Sequence, residues 1–287
     1  MIDWPSYNQI LVRRGQVLLD FDVLDGWDNE LSEMNHGKVG EPYNYPDSFI
    51  QLLGYMRAYF HLPYRQTEGV VIAHASKVPC IPDYSTISRR VNRLEIKINE
   101  GLGSDIVIAL DSTGIKVANR GEWMRHKCHV RKGYLKIHVA VDIKNKKIIS
   151  LKVTSEEVHD GKMLNKLVDN ASENNHVKGI LADGMYDSNI NFRYLSKNHI
   201  KPGIKARSNS KVKSTNCHAR NISVIRQQTN LKRWKRSVSY EYRWIAETAF
   251  SSIKRMFGEY VTARKFPHIV KEIFLKAALY NMFNRMV

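Results

Sequence analysis

The apolar segments between residues 106 and 257 follow an order that few protein folds share. Residues 106–110 are continuously apolar, as in a strand buried on both faces, whereas residues 135–141 alternate between apolar and polar side chains. These patterns predict strands at 106–110, 135–141, 148–153, 179–182 and 201–206, and helices at 159–171, 188–196 and 240–257. The predicted order is therefore three strands, a helix, a strand, a helix, a strand and a helix.

This order predicts an α/β fold, a ribonuclease-H-like mixed sheet with strand order 3-2-1-4-5 that is flanked by helices. A Lys- and Asn-rich turn at residues 144–147 joins the second and third strands into an antiparallel meander. In such a sheet the first and fourth strands are neighbours. We therefore expect the residues at the ends of these two strands to lie close together, beside the helix that follows the fifth strand.

A separate helical region is predicted for residues 1–100. Its first 40 residues show no strong period and indicate only an irregular or short-helical lead-in. Three helices are then predicted, at 46–60, 62–73 and 82–94, each beginning at a proline or just before one. The glycines at residues 101–104 indicate a hinge, so residues 101–287 are predicted to form the second domain.

The third of these helices has a basic outer face that includes Arg89, Arg90 and Arg93. Three short helices of which the last is polar and basic are typical of a helix-turn-helix-like DNA reader. We therefore predict that these arginines contact DNA. The alternative is a small helical bundle with a solvated face.

The net charge of +17 predicts a polyanionic partner, and nucleic acid fits better than a membrane because no basic segment has a strong lipid-facing side. Residues 188–240 contain no Asp or Glu. Within them the basic segment 206–239, interpreted as loop-rich, supplies candidate DNA contacts at Lys232, Arg233, Lys235 and Arg236. The three distant cysteines do not predict disulfides, and a zinc site at His126, Cys128 and His129 lacks a second pair of ligands.

Three carboxylates are placed so that the predicted fold would bring them together. Asp111 and Asp183 each follow an apolar strand, and Glu247 lies on the helix at 240–257. Three bare carboxylates repel one another unless a cation joins them, and oxygen ligands favour Mg²⁺ or Mn²⁺. Two such ions can serve phosphoryl transfer. Taken singly, the aspartates could be turn or cap residues, and Glu247 could form an ordinary ion pair with Arg243.

The helix at 240–257 also carries a spaced set of functional side chains. Two residues separate Tyr240 from Arg243, three separate Arg243 from Glu247, and six separate Glu247 from Lys254. This spacing resembles the signature of the DDE transposases of bacterial and archaeal insertion sequences. The resemblance implies that Tyr240, Arg243 and Lys254 contact DNA beside the acidic site.

Further segments resemble the same family. Asp111 in ALDSTGIKV is similar to its first acid and Asp183 in LADGMYD to its second. The segments LPYRQTEGVV and VPCIPDYSTISRR are similar to the branch called insertion sequence family five. The resemblance covers nearly the whole chain and implies a ribonuclease-H-like fold in which Asp111, Asp183 and Glu247 are both the metal ligands and the catalytic residues.

The resemblance also implies metal-dependent cleavage and joining of DNA, with double-stranded DNA as the partner, both at terminal inverted repeats and at the target. We expect a homodimer on DNA, because two ends must be joined together, and a prokaryotic cytoplasmic, nucleoid-associated protein. Two alternatives remain open. One is a DNA-binding regulator without catalysis, and the other is a ribonuclease-H-like nuclease that cuts without joining.

Overall fold

The structure is a computed structural model that describes residues 3–19, 22–103, 105–118, 134–213 and 215–286. The chain forms two compact units, Met1–Ile96 with Arg264–Val287, and Lys97–Ala263. The candidate zinc ligands His126, Cys128 and His129 lie outside the described residues. Along the described ranges no helix is both long enough and apolar enough to cross a membrane.

Helices and strands alternate through the second unit and helices fill the first. The helices are α1 (Trp4–Leu19), α2 (Trp27–Asn35), α3 (Asp47–Phe60), α4 (Tyr64–Ala73), α5 (Tyr84–Arg93), α6 (Leu164–Ser172), α7 (Asn189–Lys197), α8 (His218–Thr229), α9 (Leu231–Val238), α10 (Trp244–Phe257) and α11 (Phe266–Asn284). The strands are β1 (Ile106–Val117), β2 (Tyr134–Asp142), β3 (Ile148–Ser155), β4 (Val177–Ala182), β5 (Lys201–Ile204) and β6 (Tyr260–Val261).

The sheet has the predicted order, β3-β2-β1-β4-β5, with the short strand β6 added beside the far end of β1. Strands β1, β2 and β3 form the antiparallel meander, and β4 and β5 run parallel to β1. One face of the sheet is covered by α6 and α7, where Ile108 and Leu110 pack with Leu164 and Leu167. Because side chains alternate along a strand, Asp111 lies on the opposite face, against which α10 packs.

The basic segment is helical, so its interpretation as a loop-rich stretch was wrong. Helices α8 and α9 fill most of it, and α9 is capped by Asn230, whose side-chain oxygen accepts a hydrogen bond from the Arg233 amide at 2.8 Å. Trp234 is the one buried residue of α9 and packs on Tyr240, with ring centroids 5.1 Å apart. A single aromatic anchor is enough to dock this short helix, and it produces no apolar period.

Helix α11 belongs to the first unit, although its residues were predicted to be part of the second domain. Helix α11 packs with α3 and α5 of the first unit, whereas the predicted second domain ran to residue 287. It is apolar almost all round, so one sheet face could not cover it. Gly54 allows the close approach of α3, because a Cβ there would lie 3.1 Å from a methyl carbon of Leu275.

The predicted helices of the first unit are present, and Asp83 caps α5 by accepting hydrogen bonds from the Ser85 and Thr86 amides. The lead-in, predicted to be irregular or short-helical, is helical, and its first helix α1 is longer than expected at 16 residues. Half of the residues of α1 are apolar, but Trp4, Tyr7, Leu11 and Val12 are exposed, so the apolar side chains do not form one buried face. The sequence therefore carries only a weak helical period here.

Candidate active site

Asp111 and Asp183 occupy equivalent positions on neighbouring parallel strands. The pairing of β1 with β4 ends at Ala109 opposite Leu181, and each aspartate lies two residues further on. The sequence predicts that Asp111 follows its strand, but β1 continues to Val117 and pairs with β2 as far as Lys116. It lies where β1 loses its β4 neighbour, so both carboxylates lie at the end of the parallel pair.

The Asp111 carboxylate is the most perturbed acid of this region. Its pKa is raised to about 6, mainly by burial and to a smaller extent by the negative charges of Asp183 and Glu247. The backbone amide of Ser112, which donates to Asp111 Oδ1 at 2.9 Å, and the charge of Arg243 act in the opposite direction. The three predicted acids therefore lie within electrostatic reach of one another.

Asp183 begins the turn that leaves β4. Its Oδ1 accepts a hydrogen bond from the Met185 amide at 2.8 Å, which fixes a single 3₁₀ turn over Gly184–Tyr186. Arg207 holds the outside of the same turn, because its Nε donates to the Gly184 carbonyl at 2.7 Å. The second acid is thus fixed by its own backbone and by a cation from the basic segment.

Glu247 lies in the first turn of α10 and is paired with a cation. Arg243 donates to the Glu247 carboxylate across one helical turn, and the glutamate side chain is 52% exposed. The predicted single helix at 240–257 divides here, since Tyr240–Arg243 form a 3₁₀ turn before α10 begins. The pairing is the ordinary ion pair that the sequence left open as an alternative.

Tyr240 is a positioning residue in this structure. Its ring is buried against Trp234, and its hydroxyl donates to the Ala182 carbonyl at 3.3 Å, next to Asp183. The predicted contact of Tyr240 with DNA does not fit this placement, because the ring docks the start of α10 on the end of β4. Burial raises the pKa of its hydroxyl to about 12. Lys254 is partly exposed two turns after Glu247, on the same side of α10.

The donor chemistry of this site fits a hard divalent cation, but the ligands are not gathered around a point. Among the described residues, no three His, Cys, Asp or Glu side chains are close enough to hold a metal ion as they stand. Asp111, Asp183 and Glu247 offer only oxygen, which suits Mg²⁺ or Mn²⁺. A dication would also relieve the repulsion that the pKa of Asp111 records. It would compete with Arg243 for the Glu247 carboxylate.

Of the residues outside this site that were predicted to contact DNA, most are exposed and one is paired with other residues of the protein. Lys232, Arg233, Lys235 and Arg236 are all exposed on α9. In the first unit Arg89 and Arg93 are exposed as well. Arg90 is different, because its guanidinium pairs with Asp47 at 2.8 Å and stacks on the Tyr43 ring, and its side chain is only 12% exposed. Arg90 therefore holds the helices together, and its predicted role as a DNA contact does not fit.

A polar cluster behind Asp111 has no counterpart in the sequence analysis. Lys136 Nζ donates to Asp160 Oδ1 at 3.0 Å, and the buried His138 lies 3.7 Å from the same oxygen. Burial lowers the pKa of His138 to about 4. The hydroxyl of Tyr186 is buried near Asp160 and Asp111, and its pKa is raised by burial and by their charges. The signal for this cluster is the two-residue spacing of Lys136 and His138, which puts both on one strand face.

Comparison with known proteins gives matches along nearly the whole chain. A family model described as "Transposase DDE domain" matches residues 102–282, and a second model with the same description matches residues 12–120. A simian T-cell lymphotropic virus intasome in complex with PP2A regulatory subunit B56 gamma is 13% identical, with 67% of this chain and 65% of that chain covered and a TM-score of 0.29. A piggyBac transposase synaptic complex with hairpin DNA is 9% identical, with 96% and 74% covered and a TM-score of 0.41.

Proposed function

Since the chain belongs to the transposase DDE domain family, we propose that it binds the terminal inverted repeats of an insertion sequence and catalyses metal-dependent DNA cleavage and strand transfer. The observation that supports this most directly is that Asp111 and Asp183 lie at equivalent positions at the end of the β1–β4 pair, where the charges of Asp183 and Glu247 act on the Asp111 carboxylate. These three acids are far apart in the sequence, which supports a shared role for them in the folded chain. The prokaryotic origin, the nucleoid association and the likeness to insertion sequence family five stay predictions.

In this proposal Asp111, Asp183 and Glu247 hold Mg²⁺ or Mn²⁺, with two ions expected. When bound, such ions activate an attacking oxygen and stabilise a departing one at a phosphodiester. Asp111 and Asp183 are held rigidly, by a strand and by a capped turn, whereas Glu247 is on an exposed helix face. Two fixed ligands and one adjustable ligand would let the site close on its substrate.

The cations beside the acids would position the scissile strand. Arg243 can hold a phosphate with two parallel hydrogen bonds, whereas Lys254 acts as a point charge two turns further along α10. Tyr240 would keep the start of this helix on β4 through its hydroxyl. The chain's own contribution is therefore to orient a phosphodiester across the end of the β1–β4 pair.

The decisive experiment is a strand-transfer assay with the full-length protein. The purified chain is incubated with Mg²⁺, DNA that carries the inverted repeats flanking its gene, and a supercoiled target. We expect nicked ends that become covalently joined to the target. Cleavage without joined product would identify a nuclease, and binding without metal-dependent cleavage would identify a regulator. Either result would overturn the proposed function.

If the exposed cations of α9 bind DNA, their removal should make the affinity for DNA less dependent on the salt concentration. Replacing Lys232, Arg233, Lys235 and Arg236 with alanine should reduce the slope of log K against log salt by up to about 0.9 for each phosphate that the variant no longer neutralises. The measurement is fluorescence anisotropy of labelled duplex over a salt series. An unchanged slope would show that α9 does not touch DNA.

Joining two ends predicts a dimer on DNA. We expect two protein subunits for each pair of ends, since most oligomers of this kind are symmetric and each end needs its own acidic site. Mass measurement of the purified protein–DNA complex gives the stoichiometry directly. A single subunit bound to a pair of ends would contradict the expectation.

A further inference from the structure

A polar cleft of about 620 Å³ lies beside the candidate active site, in the same unit. Four cations line it, namely Arg207, Lys211, Lys213 and Arg220, and we name it the basic cleft. The other lining groups are hydroxyls, amides and the single carboxylate of Asp187. Groups of these types suit the oxygens of phosphates.

The one carboxylate does not cancel the positive charge of the cleft entrance. Arg220 donates to Asp187 Oδ1 from Nε at 2.6 Å and to Oδ2 from its terminal nitrogen at 3.0 Å, and Ser210 donates to Oδ2 at 2.6 Å. The Asp187 side chain is only 1% exposed. Burial alone would raise its pKa, but these hydrogen bonds lower it below the ordinary value. Asp187 is thus neutralised by Arg220, while Lys211 and Lys213 remain exposed.

The basic cleft is joined to the turn that carries the second acid. Arg207 is one wall of the cleft, and its side chain donates to the carbonyls of Gly184 and Met185, directly after Asp183. Its backbone amide donates to Asp187 Oδ2 at 3.3 Å. A chain of phosphates in the cleft would therefore pass beside the acidic site.

The burial of its lining groups restricts the occupant of the cleft. Among the charged lining side chains, Asp187 is 1% exposed and Arg220 is 12% exposed, whereas Lys211 and Lys213 are exposed. A duplex could lie against the exposed lysines, whereas the backbone of one strand is narrow enough to reach the buried lining groups as well. We propose, resting on the proposed function, that the basic cleft binds a single-stranded DNA segment adjoining the phosphodiester at the acidic site.

The test compares two DNAs in EDTA, so that binding is measured without cleavage. One is a short duplex, and the other is the same duplex with a single-stranded tail. We expect the wild-type chain to bind the tailed DNA about tenfold more tightly, which corresponds to about 1.4 kcal/mol. The Lys211→Ala/Lys213→Ala variant should lose this preference, and Lys211→Arg/Lys213→Arg should keep it.

A matched control removes the same charge elsewhere. Lys232→Ala/Lys235→Ala on α9 should weaken the binding of both DNAs alike and leave the ratio between them unchanged. Equal affinities of the wild-type chain for the two DNAs, or a preference that survives in Lys211→Ala/Lys213→Ala, would overturn the inference. Because the replaced lysines are exposed, unfolding is not expected, and circular dichroism checks it.

The proposed function and this inference can fail separately. A wild-type chain that prefers tailed DNA through Lys211 and Lys213 but never cleaves would refute the transposase mechanism and keep the cleft as a strand site. A chain that cleaves and joins DNA without any preference for the tail would refute only the inference.

Discussion

Glu247→Gln is expected to reduce DNA cleavage by about a thousandfold or more, the scale of losing a catalytic group that acts as part of a unit. The amide keeps the shape of the side chain but removes the charge that would hold a divalent cation. Because the side chain is 52% exposed, the substitution should not disturb folding. Binding of DNA ends should be retained, since one negative charge is removed from the surface that we propose faces phosphates.

The measurement pairs a cleavage assay with anisotropy on the same DNA. Glu241→Gln is the matched control, because Glu241 is exposed in the adjacent 3₁₀ turn, outside the acidic site. It should cleave at the wild-type rate. A Glu247→Gln protein that still cleaves would remove this residue from the catalytic set and leave its pairing with Arg243 as its whole role.

Asp111→Asn should stabilise the metal-free protein at pH 8 by about 3 kcal/mol. Its carboxyl has a pKa of about 6 in the folded chain against an ordinary value of 3.8, and each unit of difference is worth about 1.4 kcal/mol. The folded protein therefore binds this proton more tightly than the unfolded chain does. Ionisation of Asp111 lowers stability above about pH 6, and this destabilisation disappears below about pH 4.

Thermal unfolding in EDTA at pH 8 and at pH 4 checks this sign. The gain from Asp111→Asn should be present at pH 8 and absent at pH 4. Mg²⁺ should raise the unfolding temperature of the wild-type chain at pH 8 and leave the variant nearly unchanged. Asp105→Asn is the control, since Asp105 is exposed and hydrogen-bonded to His176, which lowers its pKa. An Asp111→Asn protein less stable than wild type at pH 8 would contradict the buried-charge interpretation.

The order of strands could be predicted because each strand carries its own signal. Ile106–Leu110 and the alternating β2 residues report burial directly, and the order of elements then limits the topology. The helices α8 and α9 give no such signal. They are held by a few contacts, such as Trp234 on Tyr240 and the Gln227 amide on the Ile204 carbonyl, which no local period reveals.

The positions of the acids could be predicted, but their environments could not. The sequence indicates that Asp111 and Asp183 leave neighbouring strands, and the register of β1 with β4 agrees. Whether Arg243 pairs with Glu247 or points at a phosphate depends on side-chain conformation. The role of Asp187 could not be predicted for the same reason, because its partner Arg220 lies 33 residues away. Ser188 is the residue that caps α7.

The pair formed by Arg243 and Glu247 implies an order of assembly. One guanidinium cannot serve a carboxylate and a phosphate fully at the same time, and a pair between adjacent helical turns is worth only a few tenths of a kcal/mol. An arriving DNA strand would therefore draw Arg243 away at little cost and set Glu247 free. Linkage then requires metal and DNA to strengthen each other's binding, which would keep a solitary protein from cutting at random.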